Sequence, residues 1–265
     1  MDFLTIILLL AGGAVAGLLA GMFGVSAGFL LVPVLLAVQQ TTGVTSLVGT
    51  HIALGTSLAV LSLNALVSTY RFSQDQHVVW RAAALAGAAG VISALFGSLL
   101  AGGFQGRTLR LLCGVVTVVV AVRLFARPRK PKGEQRMNAG GLIGAGFLAG
   151  GISSVTGVGG DVVAAPILYA VERFPLMKAR GTAQAVVILT SFAGVVGFGA
   201  AGWGNTLLPA GVAGFFNPLQ MLVMAIGVIP SFVWGERLAS NIRSALPARL
   251  FAFLLLIIAV RLLLF

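Results

Sequence analysis

The chain has 265 residues, of which 58% are hydrophobic and only 9% charged. Soluble domains carry about 25% charged residues, so the composition excludes an ordinary soluble protein. The net charge of +11 sits at the ends of apolar segments, most densely in RPRKPKGEQR (127–136), which is a juxtamembrane pattern rather than a nucleic-acid-binding face.

No Asp, Glu, Lys or Arg occurs between Asp2 and Arg71, nor from Gly181 to Gly235. A hydrocarbon core needs roughly 20 apolar residues per helix, so each of these runs holds more than one crossing. In chain order, the first half reads as a glycine-broken apolar stretch (3–38) and three long apolar segments, 46–70, 78–101 and 108–125. A basic linker, 127–138, follows. The second half repeats the plan: a broken stretch at 139–171, then segments at 180–199, 216–238 and 248–265. The predicted fold is an all-α polytopic membrane protein with a first repeat over 1–126 and a second over 139–265. The N-terminus lacks a basic region before its apolar run, so no cleaved signal is expected.

Two homologous halves are visible in the residues themselves. Gly13, Gly17, Gly24, Val25 and Pro33 match Gly146, Gly150, Gly157, Val158 and Pro166 in order and spacing. Gly55-Thr56 matches Gly181-Thr182, and Ala121-Val122-Arg123-Leu124 matches Ala259-Val260-Arg261-Leu262. Charge decides how the halves are related. If each broken stretch enters and returns, the halves are inverted, and fourteen of the 17 basic residues fall on the linker side. Only Arg107, Arg110 and Arg261 remain opposite. The positive-inside rule prefers this to the nearly even split of parallel halves. The expectation is therefore an inner-membrane protein with inverted-topology repeats, the linker in the cytoplasm and both termini periplasmic.

In inverted-repeat transporters the substrate lies near the midplane, where discontinuous helices from the two halves meet. Half-helix N-termini present unpaired N–H groups and the positive end of a dipole, which suits anions. GVSAGFLLVP (24–33) and GVGGDVVAAP (157–166) are the paired candidates. From them Gly24, Ser26, Gly28, Thr156, Gly157, Gly159 and Gly160 are expected to bind substrate. The second pair, GTSL and GTAQ, adds Thr56, Ser57, Thr182 and Gln184. Small residues also simply let membrane helices pack, which is the bland alternative for any one glycine.

Asp161 is the sole carboxylate inside an apolar stretch, and an intramembrane ionisable group defaults to a functional expectation such as ion coupling. The alternative is that it caps the helix beginning there. His51 is a second coupling candidate, although a position near the outer end of its helix, bonded to backbone, fits equally. GVSAG also matches the G-x-S-x-G nucleophile pattern of serine hydrolases. Glycine is abundant, however, and the second copy reads GVGGD without a serine. No metal, cofactor or nucleic-acid site is expected, and Cys113 excludes an intramolecular disulfide.

The doubled glycine-break-and-proline pattern, the GTS segment, and the closing LPARLFAFLLLIIAVRLLL (246–264) together resemble the sulfite exporter TauE/SafE family. TLRLLCGVVTVVVAVRLF (108–125) is a weaker copy of the last element. The resemblance covers essentially the whole chain and implies transport of small sulfur-containing anions: sulfite, sulfonates or related organosulfur compounds. It also implies that the segments Gly24–Gly28 and Gly157–Asp161 line the path. Ser26-Ala27 stand where the family usually has glycines, and the second copy ends in Asp161. The expected partners are a small anionic substrate and membrane lipids. A homo-oligomer, the direction of transport and a passive anion channel stay open at this point.

Overall fold

The computed structural model describes residues 3–125, 135–239 and 246–264. The basic residues Arg127 to Lys132 of the expected linker lie outside them. Within the described residues the chain forms ten α-helices and no strand. In chain order these are α1 (Phe3–Phe23), α2 (Gly28–Thr41), α3 (Ser46–Gln74), α4 (Trp80–Gly102) and α5 (Gly106–Phe125). The second half contributes α6 (Ala139–Thr156), α7 (Asp161–Ala170), α8 (Leu176–Ala201), α9 (Pro218–Ala239) and α10 (Leu246–Leu264). Six of the ten, α1, α3, α4, α6, α8 and α9, are long and apolar enough to cross a membrane. The other long pair, α5 and α10, pack on one another where Gly114 meets Leu263.

The two broken stretches are hairpins of unequal helices. α1 stops at Gly24 and α2 runs back beside it, so that a Cβ on Gly12 would stand 2.7 Å from Val34. α7 likewise runs back toward the start of α6. Glu172, two residues beyond α7, accepts a hydrogen bond from the Asn138 amide at 3.0 Å, and its carbonyl accepts one from the Arg136 amide at 2.8 Å. Asn138 is also the N-cap of α6, its side chain taking the Gly140 N–H at 3.2 Å. Each hairpin thus ends at the level where it began.

The long helices pack through small residues, because apolar side chains alone gain nothing over lipid tails. α1 lies parallel to α9: Gly13 faces the Met224 carbonyl and Gly21 faces that of Phe232. α6 lies parallel to α4 in the same manner, Gly146 against Ala86 and Gly150 against Gly90. α3 and α8 cross antiparallel at the centre, since Leu58 lies on Gly194 while Phe72 lies on Gly181. By a rise of 1.5 Å per residue α3 is about 43 Å long, long enough to carry contacts at both faces and at mid-depth. Its inner side chains Ile52, Leu54 and Leu58 are fully buried against Phe29, Leu31 and Phe198. Phe96, Phe192 and Phe253 point outward and are exposed, as the lipid-facing surface of a membrane bundle requires.

Candidate functional site

Each break is made by glycine in the left-handed region. Gly24 (φ +62°) ends α1, and the Val25 N–H reaches back to the Ala20 carbonyl at 3.2 Å, closing a Schellman-type turn. Gly157 (φ +68°) ends α6 with the simpler bond of its own N–H to the Ser153 carbonyl at 2.8 Å. The carbonyls of the second break would otherwise be orphaned away from water, a costly state. Ser57 Oγ donates to the Gly157 carbonyl at 2.8 Å, and Ser26 Oγ donates to the Val158 carbonyl. The two breaks therefore touch directly. A Cβ on Gly28 would run into the Val158 backbone, so glycine is required there for close approach.

Beside this junction lies a cavity of about 620 Å³, within the 300–1,000 Å³ range of small-molecule sites. Its floor is Gly24, Val25, Ser26 and Asp161; its walls include Phe72, Tyr169, Gln184, Phe232, Arg180 and Glu236. Arg123 and Leu124, in the last turn of α5, stand at the end that adjoins the linker. A much smaller void of about 10 Å³ adjoins it, lined by Ser26, Asn64, Asp161 and Gln184. That is room for about one water molecule. The Asn64 Oδ1 and Asp161 Oδ1 atoms are buried without a protein hydrogen-bond partner. Asp161 Oδ2 accepts a hydrogen bond from Gln184 Nε2 at 3.2 Å.

The structure brings four of the expected residues to the cavities: Gly24, Ser26, Asp161 and Gln184 line them. Gly28, Gly157 and Gly159 form the junction beneath, with Gly159 (φ +110°) against the Ser26 hydroxyl. Gly160 is the N-cap of α7, so Asp161 occupies the first helical position and not the cap itself. Other expected residues stand away from the cavity. Thr56 Oγ1 accepts the Asn217 N–H at 3.1 Å, and Thr182 Oγ1 accepts the Val79 N–H at 3.0 Å. Both are fully buried and tie a loop to the middle of a helix. Thr156 Oγ1 turns back to the Ile152 carbonyl at 2.7 Å.

His51 lies at the opposite end of α3 from the cavity mouth. Its ring nitrogens are 3.1 Å from the Leu47 carbonyl and 3.0 Å from that of Phe104, and its ring packs on Phe215. This is the backbone-bonded alternative weighed for His51. The same placement sets His51 away from Ser26, and Ser26 already donates its proton to a carbonyl. The nucleophile pattern in GVSAG is thus part of a helix break.

Sequence reasoning missed the charges of the cavity. Arg180 sits in the first turns of α8, partly buried, with its guanidinium where a Cβ of Gly24 would stand. Glu236, near the end of α9, forms an ion pair with Arg71, and it and Asp161 line the cavity together with Arg180. One signal was available. Arg180 precedes Gly181 as Leu54 precedes Gly55, so a charge appears in one copy where the other has leucine.

A bundle of crossing-length apolar helices, with two broken hairpins meeting beside a largely apolar cavity that holds Arg180, Glu236 and Asp161, fits a membrane transporter. A family model, Sulfite exporter TauE/SafE, matches residues 9–262; the chain belongs to that family. It is 28% identical over 244 residues to a probable membrane transporter protein of Methanocaldococcus jannaschii, covering 91% of this chain and 89% of the relative. It is 26% identical to a probable membrane transporter protein of Haemophilus influenzae, covering 97% and 98% respectively. A third such protein, YunE of Bacillus subtilis, is 21% identical over 98% of this chain and 95% of its own length. No solved structure matches the chain.

Proposed function

We propose that the chain is a secondary transporter of a small sulfur-containing anion: sulfite, a sulfonate or a related organosulfur compound. The observation that carries this reading is the cavity of about 620 Å³ beside the two helix breaks, whose lining includes Arg180, Ser26 and Gln184. A cation and an amide donor, the Gln184 side chain, beside a helix break suit a compact anion. The cavity's size leaves room for such an ion together with water.

Transport is proposed to run through two inverted-topology halves. The antiparallel crossing of α3 and α8, the counterpart helices of the two halves, supports this, because halves related by an axis along the membrane normal would set them parallel. With the linker side cytoplasmic, as the distribution of Lys and Arg favours, the cavity opens inward and the membrane is a bacterial-type inner membrane. Asp161 is the proposed coupling group, for a proton or another ion, since it stands in the cavity with one oxygen unpartnered. Titration calorimetry of the purified protein with sulfite, small alkyl sulfonates and chloride tests the substrate class. Binding of the sulfur anions in preference to chloride is expected; heat from none of them, or equal affinity for chloride, would sink the proposal.

A further inference from the structure

We infer that Arg180 is the residue that grips the anion, and that Glu236, ion-paired with Arg71 in the same cavity, is the negative charge the anion must outcompete. The inference rests on the anion-transport reading above and adds to it the binding group and the competitor that the substrate must displace.

Three observations converge. First, the break at Gly24 is shaped around the guanidinium. The Gly24 backbone needs a positive φ, and any side chain there would fall on the Arg180 terminal nitrogens. A residue that merely anchored α8 at the surface would not need the other half's helix break cleared for it. Second, the guanidinium faces the cavity together with Ser26 and Gln184. It is the more enclosed of the two cavity arginines, because Arg123 at the mouth is exposed. Arginine's planar fork of donors matches the oxygens of an oxyanion, whereas a lysine would offer one point charge. Third, the carboxylates around it are arranged as alternatives and not as a closed pair. Glu236 is ion-paired with Arg71 and shares the cavity lining with Arg180, while Asp161 is engaged by Gln184.

An anion entering the cavity would take up a direct bond to Arg180 and replace Glu236 as the negative charge nearest to balancing it. Glu236 would keep Arg71, so neither carboxylate nor guanidinium is left as an uncompensated charge at any stage, the condition that makes such an exchange cheap away from water. The second break has no equivalent. There Leu54 packs on Gly157 where Arg180 stands over Gly24.

The test uses the full-length protein in detergent, with sulfite and sulfate as probes in calorimetry, and size-exclusion profiles to establish folding. Arg180→Ala should weaken binding tenfold or more, since charge-assisted hydrogen bonds to the anion are lost. Arg180→Lys should fall between the two and serves as the readout if the alanine variant does not fold. Glu236→Gln should bind more tightly than wild type, about threefold or more, because the competitor is gone. Arg123→Ala should change affinity by less than Arg180→Ala. Affinity within twofold of wild type in Arg180→Ala, or in Arg180→Lys where only that variant folds, overturns the anchor. Unchanged or weakened affinity in Glu236→Gln overturns the exchange. A wild-type protein that binds neither probe removes the anion-transport reading itself, a result distinct from either.

Discussion

Substituting Gly24 by alanine probes backbone and site at once. The backbone there has φ +62°, a conformation that costs an L-residue about 1–2 kcal/mol. The added methyl would also fall on the Arg180 guanidinium. That group is the end of a flexible side chain, so it can swing away with little steric cost, but it then leaves its position in the cavity. Gly24→Ala should therefore lower stability by about 1–2 kcal/mol and weaken anion binding. In an Arg180→Ala background the same change should cost the same stability and no further affinity, because the backbone strain remains while the displaced group is absent. Gly144→Ala is the control: its Cβ meets nothing within 4 Å and its φ is not positive, so alanine in mid-helix is neutral or stabilising by up to about 1 kcal/mol. Thermal unfolding in detergent followed by tryptophan fluorescence reads stability, and sulfite titration reads affinity. If Gly24→Ala matched wild type in thermal stability, or lost as much affinity without Arg180 as with it, the reasoning would be refuted.

Single cysteines replacing Asp75 and Thr206 in a Cys113→Ser background should label from opposite sides of the membrane; labelling of both from one side would exclude inverted halves. Thr56→Ala and Thr182→Ala should each lower stability by about 1 kcal/mol by stranding the Asn217 and Val79 amides, with anion affinity within twofold of wild type by calorimetry. Asp161→Asn can still bond Gln184; in proteoliposomes it should exchange anion normally yet lose accumulation driven by a pH gradient. Full pH-driven accumulation by that variant would dismiss Asp161 as a proton-coupling group.

Much of the architecture was legible because membranes restrict the chain severely. The left-handed glycines at 24 and 157, with Pro33 and Pro166 following, marked the two breaks. The apolar runs marked the long helices to within a few residues, with α3 and α8 extending further at their linker ends than hydropathy indicated. The site was legible only in part. Thr56 and Thr182 share a position in the two halves and carry hydroxyls, so they read as a symmetric site. Nothing in sequence reveals that the loops at Asn217 and Val79 fold back and consume those hydroxyls. Arg180 suffered the opposite error. A basic residue at the start of an apolar helix normally snorkels to the interface, and only the tertiary placement of Gly24 turns it inward.

If the halves are inverted repeats, as proposed, their inequality bears on how the two open forms would differ. Gly24 and Gly157 break their helices in the same left-handed conformation, and each is overlain by the residue preceding the Gly-Thr pair of the other half. Those residues differ: Arg180 over the first break, Leu54 over the second. A small oxyanion drawn to the junction therefore meets a cation from the linker side and an aliphatic surface from the far side. Under the inverted-repeat reading, exchanging the conformations of the two halves would open a far-side cavity whose floor lacks the charge present in the linker-side one. Affinity would then differ between the two open forms because of one residue. On that reading Leu54 and Arg180, more than the matched glycines and threonines, set the side on which the anion is held and the side on which it is released, and substituting Arg180 by leucine should reduce the difference between affinities measured from the two faces of oriented proteoliposomes. An undiminished difference would assign the asymmetry elsewhere.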